Sequence, residues 1–294
     1  MNNKETYPTS PGPFVRSSIT TGSVMYDVIL ALLPAAFFGI HRFGGRAALV
    51  ILTSVLTAVL IEYAFGCFNG KDCIVRDGSA AVTGLLLALT LPADVPLYIP
   101  FVGAIAAVVL VKGLFGGLGK NLVNPAVGAR CLLALAFGKT LGAVWTEALA
   151  SGAGAARFLV GASGGMIGCS AAAVLAGGLY LLAIRRIRWQ TPVSVLAGFV
   201  VFALLFGGKD AGASQLAVLL SGGVILAAFF LAADPVTGPV TGSGKLICGC
   251  FIGLFCALFR KFSDPMNAVC CAVILANLAA PLIDRLTTAK AGKR

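Results

Sequence analysis

Few residues in this sequence have both the type and the spacing to do chemistry, and those few sit beside long apolar runs. At the end of GGVILAAFFLAA, residues 222–233, the chain turns to DPVTGPVTGSGK. Asp234, Pro235, Thr237, Pro239 and Thr241 follow one another there, an acid and two hydroxyls among two helix breakers. A second stretch, DGSAAVTGLLLALTLPAD at 77–94, puts Asp77 two residues before Ser79 and closes on Pro92. Such groups can line a polar cavity, or they can simply cap helices, as Asp and Ser do well. Glu62, Lys112 and Arg130 lie within apolar runs. Ionisable groups in that setting are costly and usually face an interior site. For Lys112 and Arg130 the favoured expectation is the alternative, a long side chain reaching out to the interface. Glu62 is expected to pair with a base or to lie near the interface. His41 is the single histidine, which leaves a histidine metal site or catalytic triad without partners. No Walker A motif or dinucleotide fingerprint occurs. No catalytic residue and no metal ligand set is assigned.

The elements that must position these residues are membrane helices. The chain of 294 residues is 59% hydrophobic and 11% charged, with a mean hydropathy of +0.97, whereas a soluble domain keeps roughly a quarter of its residues charged. Apolar runs approach the ~20 residues needed to cross a bilayer. They predict about ten spans, at 24–40, 46–68, 79–92, 96–117, 121–138, 166–184, 189–207, 215–233, 243–261 and 266–286. The third and eighth are short and end at prolines. Pro92 and Pro235 are 143 positions apart, Asn124-Pro125 and Asp264-Pro265 are 140 apart, and Arg46 and Arg188 are 142 apart. The near-constant offset predicts two five-helix repeats, 24–138 and 166–286, joined by an outside loop at 139–165 and flanked by tails at 1–23 and 287–294. An odd number of spans per repeat inverts one relative to the other, an arrangement in which short, Gly/Pro-interrupted helices mark the functional centre. Asp234 with Thr237 and Thr241, and Asp77 with Ser79, are therefore candidate site residues. The expected fold is an all-α polytopic membrane protein with broken helices at spans three and eight.

The first 23 residues lack the basic start, apolar centre and cleavage site of a signal peptide, and no soluble domain is expected on either side of the helices. The net charge of +11 reflects topology rather than nucleic-acid binding. Thirteen Lys and Arg fall on the side of the amino-terminal tail and seven on the other, with Lys112 and Arg130 completing the 22. The positive-inside bias then places both termini in the cytoplasm. Of the nine cysteines, Cys131, Cys248, Cys250, Cys256, Cys270 and Cys271 fall in apolar helices, where Cys behaves as a small hydrophobe. There is no Cys-x-x-Cys, and iron–sulfur ligation by this chain alone is not expected; a cysteine shared at a boundary between subunits stays open.

Four long motifs in order, RSSITTGSVMYDVILALLPAAFFGI, DGSAAVTGLLLALTLP, KGLFGGLGKNLVNPAVGARCLLALAF and DPVTGPVTGSGK, resemble the RnfD family, the D-type membrane component of the Rnf complex. That family is related to NqrB, a membrane component of the sodium-pumping NADH:quinone oxidoreductase. The resemblance runs from about Phe14 to Asp284. It implies a multi-pass subunit of the cell's inner membrane, in a complex that passes electrons between ferredoxin and NAD and couples this to Na⁺ or H⁺ movement. It also implies the five-plus-five inverted fold, the A, B, C, E and G subunits as partners alongside the lipid bilayer, and no catalysis by this chain alone. Family members carry FMN joined by a phosphoester to a threonine in a Ser/Thr-Gly-Ala-Thr motif in the loop between the halves. Riboflavin is a further flavin by analogy with the quinone-reducing relative.

This chain departs from that pattern. Ser151, Gly152 and Ala153 match the flavin motif, but Gly154 stands at the threonine position. Three readings stay open: FMN held without a covalent bond, its phosphate met by helix N-termini and a base such as Arg157; a subunit without flavin; or a neighbouring hydroxyl as acceptor. The family's GETS reads Gly168-Cys169-Ser170 here and its YPEG reads DPMN at 264–267. Two other classes of function compete with the redox subunit: a small-solute channel on the same scaffold, and a structural subunit that has lost its flavin.

Overall fold

The computed structural model describes residues 20–68, 77–114, 117, 119–150, 166–206 and 223–288, with the side chains of 142–150 outside that description. Ten helices are present among the described residues and no strand beyond one isolated bridge. In chain order they are α1 (Thr21–Phe43), α2 (Gly45–Phe68), α3 (Ser79–Leu89), α4 (Tyr98–Ile105, running on as a π-helical stretch Ala106–Gly113) and α5 (Pro125–Ala150). After an interval come α6 (Ala171–Ala183), α7 (Gln190–Phe206), α8 (Gly223–Leu226, continued as a π-helical stretch Ala227–Leu231), α9 (Gly242–Phe259) and α10 (Pro265–Thr287). Four of them, α1, α2, α9 and α10, are long and apolar enough to cross a membrane by themselves.

Local chemistry sets the helix ends. Thr20 accepts from Ser23 N at 3.2 Å to open α1, and Gly44, at φ 69° and ψ −154°, closes it in a positive-φ conformation that glycine adopts freely. Ser170 and Thr241 cap α6 and α9 in the same way, accepting from Ala173 N and Gly244 N. Pro125 and Pro265 occupy the first turns of α5 and α10, where the missing N–H costs nothing. The α5 helix continues past its expected end at 138, breaking its regular backbone only at Phe137 (φ −128°, ψ 29°). The sequence KTLGAVWTEALA that follows holds no proline, so nothing stops the helix there.

The helices α3 and α8 are the innermost. Every residue of α8 from Gly223 to Leu231 is buried, as is every residue of α3 except Ala81. Around them the long helices approach closely through small residues, the usual means of packing where lipid gives no hydrophobic drive. Gly249 and Gly253 form a Gly-x-x-x-Gly pair on α9. A Cβ at Gly249 would stand 1.8 Å from Ser194 Oγ, and one at Gly253 2.4 Å from Phe199 N, both on α7. Gly253→Leu is therefore expected to abolish the monodisperse folded peak in detergent chromatography. Gly138→Ala, with open space at its Cβ, is expected to leave that peak unchanged.

Candidate functional site

The first turn of α3 faces the end of α8. Between them lies a partly open pocket of about 90 Å³, walled by Met25 and Val28 of α1, Val82 and Leu86 of α3, and Phe229 and Phe230 of α8. Polar groups enter at specific points: Ser79, Thr83, Lys112, Asn121, Asn124, Arg186 and Asp234. A cavity of about 150 Å³ accepts benzene, and this one is smaller.

Three pairings fix the charges. Lys112, on the π-helical part of α4, is 3% exposed and pairs with Glu62 of α2. Its ammonium also donates to Ser79 Oγ at 2.6 Å. Ser79 in turn donates its hydroxyl to Asp77 Oδ1 at 2.6 Å and its backbone N–H to the same oxygen at 2.9 Å. Asp77 thus caps α3 while Ser79 lines the pocket. Across the cavity, Asp234 accepts from Val236 N at 3.0 Å and from Asn124 Nδ2 at 3.2 Å, closing the turn after α8 with a side chain that precedes α5. Arg186 is held by Asp27 of α1 at 2.6 Å.

The favoured expectation for the two basic residues is overturned. Lys112 turns inward to Glu62, which has the base partner expected of it. Arg130 is 1% exposed and donates from Nε to Thr90 O at 3.3 Å. It sits at the carboxyl end of α3, where the partial negative charge of freed carbonyls favours a cation. Hydrophobic length alone cannot separate an inward from an outward lysine, because the flanking apolar residues are the same.

The two broken helices are each completed by a distant part of the chain. Residues 166–168 run alongside the end of α3: Met166 bridges Pro92, Ile167 N donates to Leu91 O at 3.0 Å and Gly168 N to Leu89 O at 2.9 Å. A Cβ at Gly168 would press on Leu89 O at 2.9 Å, so the backbone contact requires glycine. Met166 also neighbours Gly223, the first described residue of α8. Pro92 therefore lies by the start of α8, and Pro235, which lines the pocket, lies by the start of α3.

Thr241 and Thr237 do not line the pocket. Thr241 caps α9 and shares a 2.7 Å hydrogen bond with Thr287 of α10. Thr237 is buried in the turn after Asp234. Ser151, Gly152, Ala153, Gly154 and Arg157 lie outside the described residues. Asp27, Asn121, Asn124 and Arg186 were not picked out from sequence as site residues; an acid within VMYDVIL was the available signal for Asp27. No group of three or more metal-ligating side chains occurs among the described residues.

A helical membrane bundle with central helices that end at prolines and a charged interior pocket defines a broad class of transport and redox subunits. The chain belongs to the NQR2, RnfD, RnfE family, whose model matches residues 8–293. It is 33% identical to the D subunit of the proton-translocating ferredoxin:NAD(+) oxidoreductase complex of Clostridium ljungdahlii, over 97% of this chain and 95% of the relative. It is 34% identical to the D subunit of the Na(+)-translocating ferredoxin:NAD(+) oxidoreductase complex of Acetobacterium woodii, over 95% and 92%. The D subunit of the ion-translocating oxidoreductase complex of Methanosarcina acetivorans is 32% identical over 96% and 95%.

Proposed function

We propose that this chain is the D-type membrane subunit of a multi-subunit complex that couples ferredoxin:NAD electron transfer to translocation of H⁺ or Na⁺ across the inner membrane. The observation that carries the reading is end-to-end similarity to relatives bearing that description, at about a third identity over nearly the whole of both chains. The pocket agrees with it: Asp234, Lys112–Glu62 and Asn121 bring charge and oxygen donors into an otherwise apolar interior. Identity to the proton- and sodium-translocating relatives is 33% and 34%, so similarity does not select the cation.

The architecture we propose is two inverted five-helix repeats with both termini cytoplasmic. Helix order supports it, five described helices before and five after the 151–165 interval, as does the placement of Pro92 and Pro235. The A, B, C, E and G subunits are the proposed partners. Gly154 has no oxygen with which to form a phosphoester, so the chain does not fit a flavin joined at that position. Gly154 also favours a second reading, a subunit whose role in the complex is architectural.

The test compares membranes with and without this chain, in its own complex, for ferredoxin-dependent NAD reduction and cation uptake. Loss of both is expected on deletion; their retention without this chain would remove the proposal. Gly154→Thr separates the two readings. In-gel flavin fluorescence appearing on this band in the variant alone is expected if the surrounding pocket persists. A dark band in a fully assembled complex would favour the architectural reading.

A further inference from the structure

Cys131 is the seventh residue of α5 and Cys271 the seventh of α10. Their separation of 140 positions equals that between Asn124-Pro125 and Asp264-Pro265. These two helices pack directly against each other, and the two sulfurs stand 4.0 Å apart. Cys271 is exposed and Cys131 half-buried, while Cys270, next in sequence, is buried. One turn on, Leu135 shares the face of Cys131 and Leu275 that of Cys271, with Leu278 a further turn along; all three leucines are exposed. The thiols therefore open onto an apolar flank of the kind that meets hydrocarbon. Water-soluble oxidants are scarce there, and lipid-soluble ones are concentrated.

We propose that Cys131 and Cys271 are a redox-active thiol pair within the membrane, oxidised by a lipid-soluble quinone to a disulfide that staples α5 to α10. The sulfurs are 4.0 Å apart on helices already packed, and a bond of about 2.05 Å requires them to close roughly 2 Å. The step balances. Two S–H bonds break and one S–S bond forms; the two electrons and two protons reduce one quinone to its quinol. A dithiol reductant reverses it. The staple ties together the two helices whose starts carry Asn124 and Asp264, so the oxidised form restricts movement of one half of the chain against the other. It rests on the sulfur geometry, independently of the ferredoxin:NAD reading.

The test uses membranes carrying the full chain in its complex. They are treated with decylubiquinone, quenched with N-ethylmaleimide, digested and analysed by mass spectrometry. The expected product is a peptide pair joined through Cys131 and Cys271, lighter by two hydrogen atoms than its separate halves and lost on reduction with dithiothreitol. Cys67 and Cys250, exposed elsewhere, remain alkylated. Cys270→Ser is expected to retain the link, whereas Cys131→Ser and Cys271→Ser each abolish it. Full alkylation of Cys131 and Cys271 after quinone treatment would overturn the proposal. So would a link running through Cys270, or one formed by copper phenanthroline but not by the quinone.

Discussion

Lys112→Met is expected to lower the apparent melting temperature of the detergent-solubilised protein by on the order of 10 °C. The substitution keeps most of the side-chain volume but removes the cation paired with Glu62, a residue only 5% exposed. The second carboxylate oxygen of Glu62 already has no hydrogen-bond partner. Breaking a buried ion pair from one side costs about 3–5 kcal/mol, because a charge is left uncompensated in a low-dielectric interior. Each kcal/mol displaces the midpoint by roughly 2–4 °C in a chain of a few hundred residues. Lys112→Met combined with Glu62→Gln is expected to regain most of the loss, since replacing both members removes the stranded charge. If the single and double variants melt together, the pair is not what holds α2 against α4. Lys112→Arg, which keeps the charge but not the shape, is expected to fall between them.

Asp234→Asn is expected to leave assembly intact and to lower cation translocation per electron by roughly ten- to hundred-fold, measured as ²²Na⁺ or proton uptake by proteoliposomes. An asparagine can still accept from Val236 N through its side-chain oxygen, so the turn after α8 is preserved. What disappears is the negative charge on the pocket wall, together with the second oxygen that accepts from Asn124 Nδ2. A charge-assisted contact is worth about 1.5–3 kcal/mol, and each 1.4 kcal/mol is a factor of ten in occupancy. Asp234→Ala removes the turn's hydrogen bonds as well, stranding Val236 N and Asn124 Nδ2, and is expected to reduce folded yield. Unchanged uptake in the asparagine variant, with electron transfer also unchanged, would remove Asp234 from the cation's route.

Much of this architecture was legible before any coordinates. Apolar runs located the ten described helices to within a few residues at most described ends, because the requirement that backbone groups be satisfied in lipid leaves helices as the form such runs take. Asn124-Pro125 and Asp264-Pro265 announced the starts of α5 and α10, since proline suits a first turn and little else in a helix. The ends of α3 and α8 were written in Pro92 and in the Asp234-Pro235 pair. Departures came where a helix lacked a local stop, as in α5 beyond residue 138, or where a cap and a cavity residue look alike in sequence, as with Asp77 and Ser79.

Membrane class, helix positions and the two interruptions followed from the order of residues, because hydropathy, proline and capping act over a turn or two of chain. Only the folded molecule decided that Lys112 meets Glu62 across 50 positions, that Asn124 meets Asp234 across 110, and that two cysteines 140 apart touch. Each of those side chains carries the same local signal whether it points to lipid or to the interior. The choice is made by which helix lies beside it, and that is set by packing among segments far apart in the chain.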